Sequence, residues 1–236
     1  MEDYFADNFS ETEKKIYDET SNSITWIDME NWDRTRIFYN YLGTDFPYIV
    51  ITANIDVTKP LLFAHKNKVS FNLVMVWLCN KTADSIINYR YRFFEGKPFI
   101  IDHTRPTVNH LKKGSEQFVI GEGPWPCDDI IEFCKRTHES MEHADPEQMQ
   151  ERVRYKLDII NYTSIPWINY TGFIRTILHN GVDNAPKFSF GKYFKDPSDP
   201  EKILMPLSNQ THHGLMDGVH VGKFYERLQK ACDELC

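Results

Sequence analysis

Apolar positions along this chain follow two rhythms, and the changes between them mark its elements. "YIVITANIDVT", starting at Tyr48, is dense in β-branched residues and reads as a strand that ends at the Asp56 turn. "SFNLVMVWLCNKTADSI" follows from Ser70 as an apolar run long enough for a buried helix. Upstream, in "ENWDRTRIFYNYL", Trp32, Ile37, Phe38 and Tyr41 fall on one face of a helix. "RYRFFEGKPFIID" gives two short strands about a turn at Glu95-Gly96. The acidic stretch from Cys127 to Val153 predicts one or two solvated helices, broken near Asp145-Pro146.

Two further strands are read in "FSFGKYF" and "KILMPLSNQTHH", the second entered through the polar turn "KDPSDPEK". The chain closes on an amphipathic helix, with Val221, Phe224, Leu228, Cys232 and Leu235 recurring every three or four residues between charges. Strands and helices mix irregularly, which predicts an α/β or α+β domain around a sheet. No repeat and no Gly/Ser linker divides it. The expected organisation is one domain over 23–236 behind an N-terminal extension, 1–22.

Composition narrows the partners. A net charge of −7 with scattered basic residues argues against nucleic acid. No stretch reaches the roughly 18 uninterrupted apolar residues of a membrane span, and the acidic start lacks the order of a secretory signal. A cytoplasmic protein without membrane contact is expected. Cys79, Cys127, Cys134, Cys232 and Cys236 are odd in number and form no CxxC pair, so reduced, mostly buried thiols are expected.

The densest chemistry lies in "QTHHGLMDGVHVGKF", which places three of nine histidines around an aspartate and two glycines. His212 and His213 could be plain polar residues at a strand end. A metal site built from His212, His213, Asp217 and His220 is disfavoured, because consecutive strand residues point to opposite faces and no cysteine helps. The third reading makes one histidine a general base, whose neutral imidazole takes a proton from an alcohol attacking a carbonyl. Asp217 could then cap the following helix or hold an arginine.

"HHGLMDG" resembles the His-His-x-x-x-Asp-Gly signature of CoA-dependent acyltransferases. "MPLSNQTHHGLMDGVHVGKFYERLQKACDE" resembles the C-terminal end of the chloramphenicol acetyltransferases almost throughout. "IDMENWDRTRIFYNY", with Trp32 and Arg34, resembles their N-terminal helix. "NYTSIPWINYTGF" resembles their Ser-x-x-Pro-Trp strand, and "FSFGKYF" their Lys-Tyr strand; "NIDVT" and "FIIDHTRPTVNHL" resemble two further family stretches.

The resemblance implies a two-layer α/β sandwich, a mixed sheet covered by helices. It also implies a homotrimer that moves acetyl from acetyl-CoA, as co-substrate, to a small-molecule hydroxylated acceptor such as chloramphenicol. It implies neither metal nor prosthetic group. His213 would be the general base in a ternary complex, with no acyl-enzyme. Thr163, with Ser164 as its neighbour, takes the place of the family's oxyanion serine, and Ser189 that of a water-holding threonine. Asp217 would form a buried bidentate pair with Arg34. Tyr41, Asp45 and Ile49 fall at acceptor-site positions, where a carboxylate at 45 departs from the family's apolar lining. Trp167 and Tyr193 fall near the CoA channel. The resemblance further implies that His213 faces a pocket of the neighbouring subunit containing Tyr41 and Thr163. A different alcohol as acceptor, or a protein that sequesters a ligand without turnover, stay open as alternatives.

Overall fold

The computed structural model describes residues 24–94, 96–112, 114–145, 157–177 and 183–236. The expected extension at 1–22, and the expected helix break from Pro146 on, lie outside the described residues. The ten strands are β1 (Ile24–Trp26), β2 (Tyr48–Asp56), β3 (Tyr91–Phe94), β4 (Lys97–Ile101), β5 (Arg105–Leu111), β6 (Phe118–Glu122), β7 (Ile159–Ile165), β8 (Lys187–Gly191), β9 (Phe194–Lys195) and β10 (Ile203–His212) among the described residues. The helices are α1 (Thr35–Leu42), α2 (Thr58–Asn67), α3 (Phe71–Asp84), α4 (Ile130–Glu142) and α5 (Gly218–Glu234).

The main sheet runs β2-β10-β8-β7-β5-β6, and β9 pairs with β10. The neighbours β5, β7 and β8 are parallel, while the other pairs are antiparallel, so the sheet is mixed. A smaller sheet, β1-β4-β3, contains the expected hairpin around Gly96, whose φ of +76° suits glycine.

One face of the main sheet carries the core. Ile55, Val108, Ile160, Tyr162, Phe188, Phe190, Met205 and Leu207 meet Leu73–Cys79 of α3, Phe133 and Met141 of α4, and Val221, Phe224 and Leu228 of α5. The result is a two-layer α/β sandwich of sheet and helices. Along β8 and β10 these core residues alternate with Ser189 and Ser208, which strand geometry turns to the other face.

Two local expectations change. Trp32 lies ahead of α1, which starts at Thr35; within the helix only Phe38 is buried, and Ile37 is exposed. The acidic helix α4 is capped by Asp129, which accepts from the N–H groups of Ile131 and Glu132. It is not solvated all round, since Phe133, Cys134, Thr137 and Met141 are buried. The thiols are free and mostly buried, as expected: Cys79, Cys134 and Cys232 are buried, Cys127 is partly exposed and Cys236 is exposed.

Candidate active site

The sequence motif occupies the turn between β10 and α5. Pairing with β2 continues past the last strand pair, His212 with Tyr48, because the His213 N–H donates to Pro47 O at 2.7 Å. The chain then reverses, with Leu215 N–H bonding back to His212 O at 3.0 Å. Strand alternation separates the two histidines. His212 is 2% exposed, ringed by Tyr48 and Phe93, while the His213 side chain is 31% exposed.

Burial pushes the His212 pKa down to about 4, helped by the neighbouring His213, so this ring is neutral near pH 7. Its Nδ1 accepts the Gly214 N–H at 3.1 Å. A Cβ at position 214 would meet that ring at 3.1 Å, which favours glycine there.

What fixes the turn was only partly visible in the sequence. Leu215 and Met216 are buried, Leu215 beside Phe38 and Phe93, Met216 in the main core. Asn88 donates to Leu215 O at 3.1 Å. The "GLM" between the motif's fixed letters is therefore an anchor, and nothing in the periodicity of a seven-residue turn announced it.

Arg34, 6% exposed, closes the turn from α1. Its Nη1 donates to Asp217 Oδ2 at 2.5 Å and its Nη2 to His213 O at 3.2 Å. The expected bidentate pair is thus corrected: the guanidinium spans a carboxylate and the carbonyl of His213 itself. That hydrogen bond holds the Asp217 carboxyl below the usual carboxylate range. His213 Nδ1 stands 3.2 Å from Asp217 Oδ1, without hydrogen-bond alignment. Tyr41 stacks flat on the imidazole, with centroids 4.1 Å apart and planes 12° apart. The expectation that Tyr41 reaches His213 from a neighbouring subunit is overturned; both belong to one chain, joined through α1.

Asp45 is exposed and Ile49 partly buried, in the loop and strand just beyond Tyr41. Ile49 pairs with Thr211.

Thr163 and Ser189 form a second cluster. Register places Thr163 beside Ser189, Ser189 beside Ser208, and Ser208 beside Thr52, a row of hydroxyls across β7, β8, β10 and β2. The Thr52 and Ser208 hydroxyls are 2.6 Å apart. Ser164 pairs instead with Phe190, whose ring lies in the core. On β5 and β7 the buried Oδ1 atoms of Asn109 and Asn161 find no partner among the described residues. Thr107 pairs with Asn161, so Asn109 falls next to Thr163.

These hydroxyls are distant from His213 of the same chain. Ser208 lies five residues back along β10, about 16 Å of strand, and Thr163 two strands further across, about 10 Å.

Trp167 and Tyr193 lie on adjoining turns after β7 and β8, tied by the Lys192 N–H donating to Ile168 O at 2.8 Å. Both rings are largely exposed. Among the described residues no cluster of three or more His, Cys, Asp or Glu is placed to hold a metal, and no helix is long and apolar enough to cross a membrane.

Comparison with known proteins follows the same outline. A family model described as "Chloramphenicol acetyltransferase" matches residues 22–229. The chain is 28% identical over 205 residues to a chloramphenicol acetyltransferase of Clostridium perfringens, covering 86% of this chain and 92% of the relative. It is 25% identical over 214 residues to chloramphenicol acetyltransferase 2 of Haemophilus influenzae, covering 90% and 99%. A solved chloramphenicol acetyltransferase superposes with a TM-score of 0.80 at 21% identity, covering 88% of this chain and 99% of the other. The cubic core of the pyruvate dehydrogenase multienzyme complex shares the fold at a TM-score of 0.60 and 11% identity, covering 84% and 86%.

Proposed function

The chain belongs to the chloramphenicol acetyltransferase family, and from that membership we propose that it O-acetylates chloramphenicol, with acetyl-CoA as co-substrate and His213 as general base. The family is one of acyltransferases, so an acyl donor and an acceptor are common ground; the acceptor and the residue roles are our reading.

The observation that carries it is the setting of His213. One ring face rests on Tyr41, and Nδ1 faces Asp217. A proton on Nδ1, drawn to that carboxylate, leaves the lone pair on Nε2 at the opposite side of the ring. Nε2 takes the acceptor's hydroxyl proton as its oxygen bonds to the thioester carbonyl carbon. The tetrahedral oxyanion accepts a hydrogen bond from Thr163 Oγ1. Collapse breaks the carbon–sulfur bond, and the CoA thiolate recovers the proton from His213. Acetyl ester and free thiol are the products.

Thr163 is the better oxyanion donor than Ser164 because it shares with Ser189 the sheet face turned away from the helices, where Ser164 shares the core face with Phe190. Ser189 is then the residue that holds a water beside the intermediate. Asn109 and Asn161, with unpaired amide oxygens beside Thr163, suit an acceptor that brings its own N–H or O–H donors.

A hydrogen bond reaches about 3 Å, so an oxyanion beside His213 is far out of range of Thr163 in its own chain. The site is therefore built from two copies, His213 with Tyr41 and Asp217 from one and Thr163 with Ser189 from the next. Cyclic closure of that head-to-tail contact gives the trimer we infer. Trp167 and Tyr193, exposed on adjoining turns, are assigned to the CoA approach.

Asp45 supports a second reading, a homologous enzyme for another alcohol, because an exposed carboxylate sits on the loop that leads to the His213 turn. The test is release of free thiol from acetyl-CoA with and without chloramphenicol, beside His213→Ala. Chloramphenicol-dependent release that drops about 10²- to 10⁴-fold in the variant supports the proposal. Release driven only by unrelated alcohols moves the acceptor to the second reading. Equal release by variant and parent refutes His213 as base.

A further inference from the structure

The motif's other two histidines make matching bonds on either side of His213. We infer that His212 and His220 are positioning residues for His213, each using its ring Nδ1 to hold one backbone N–H of the turn 213–217. His212 Nδ1 accepts from Gly214 at 3.1 Å, and His220 Nδ1 accepts from Asp217 at 2.9 Å. With the guanidinium of Arg34 on His213 O, the peptide groups flanking the base are gripped from three elements: β10, α5 and α1.

The His220 bond is one half of a capping box at the start of α5, with imidazole where glutamate or glutamine is usual. The surroundings explain the exchange. Asp217, Arg34 and Lys223 face His220. A glutamate at 220 would place a second carboxylate beside Asp217 and compete for Arg34; a neutral imidazole supplies the acceptor without the charge. Burial, then Arg34, keeps the His220 pKa below the ordinary histidine value.

His212 supports the same inference from a different side. Its Nε2 is buried with no hydrogen-bond partner among the described residues. An orphaned N–H is unfavourable, and a leucine or phenylalanine among Tyr48, Phe93 and Leu215 would avoid it. What the imidazole adds at that position is Nδ1 on Gly214. The charged groups facing it are His213 and Asp183. A proton on either Nδ1 would turn an acceptor into a donor aimed at an N–H, and so release the turn.

The inference rests on the proposed role of His213, and its test carries one readout independent of turnover. His220→Gln and His220→Met are of similar length and differ in offering an acceptor. In His220→Met, kcat is expected to fall about ten- to a hundredfold with both KM values within about twofold of the parent, and His220→Gln to stay within about threefold. Amide exchange at Gly214–Gly218 is expected to speed up in Met and not in Gln, with the β8 and β10 amides unchanged. Equal kcat and equal exchange in the two variants would overturn the inference. A parent without acetyl transfer would refute the proposed function alone, since the exchange comparison still decides the positioning role.

Discussion

The His213 turn and the hydroxyl face of the sheet are organised in opposite ways. The turn is complete within one chain: Arg34, Tyr41, Asp217 and two further imidazoles converge on five residues, and Leu215 and Met216 anchor them in the core. The face is a row of hydroxyls from Thr163, Ser189, Ser208 and Thr52, beside which the amide oxygens of Asn109 and Asn161 find no partner among the described residues. On the proposed reading one region holds the base, and the other carries the oxyanion donor and the water-holding hydroxyl. On the reading proposed above, the unit of catalysis is the contact between copies, and the fold of one chain supplies two unlike halves.

The largest effect that would sharpen this comparison comes from the sheet face. Thr163→Ala removes the proposed oxyanion donor and is expected to lower kcat by about a hundredfold, about 3 kcal/mol of barrier, in steady-state acetyl transfer. Ser164→Ala, on the core side of the same strand, is expected to change kcat little. Reversed results would move the oxyanion site off the hydroxyl face.

Next is the lock on the turn. Arg34→Ala leaves Asp217 and the His213 carbonyl without their donor. A fully buried pair broken this way costs about 3–5 kcal/mol; with the Asp217 side chain 32% exposed, about 2 kcal/mol is expected in denaturant unfolding. Unchanged unfolding would mean that the turn is held by Leu215 and Met216 alone.

The smallest effect at neutral pH grows on acidification. Burial depresses the folded pKa of His212 from the ordinary histidine value of 6.5 to about 4. The unfolded chain therefore binds more protons between those values, so this contribution to stability is full above pH 6.5 and is lost as pH falls toward 4. Asp217, lowered by Arg34, adds loss in the same direction below the usual carboxylate range. Melting temperature against pH, compared between the parent and His212→Asn, is expected to show a shallower acid decline in the variant. Parallel curves would free His212 of this role.

The strands β2, β8 and β10, the buried helix α3 and the closing helix α5 were legible because each carries a long run in one rhythm. Helix α2 was not. Pro60 in its first turn and the mixed "LLFAHKN" that follows obscure the period, although proline is tolerated at that end of a helix. Ile37 misled because the helix register is set by where Arg34 bonds, and that partner is 183 residues away. The motif residues His213 and Asp217 were readable from type and spacing. The separation of Thr163 from His213 within one chain was implied only by the family resemblance, because it depends on the register of three strands that no local pattern encodes. Tyr41 shows the same limit from the other side: the family pattern marks it as a site residue, while only packing shows that it stacks on the imidazole of His213 in its own chain.

The division of the site between copies is tested most directly by mixing two impaired subunits. His213→Ala and Thr163→Ala chains are co-expressed with different tags, and mixed assemblies are purified through both. Each variant alone is expected to be nearly inactive, while mixed assemblies regain a substantial part of parental acetyl transfer, because one contact in them pairs an intact His213 with an intact Thr163. Mixed assemblies as inactive as either variant alone would place both residues of a working site in one chain and contradict the account.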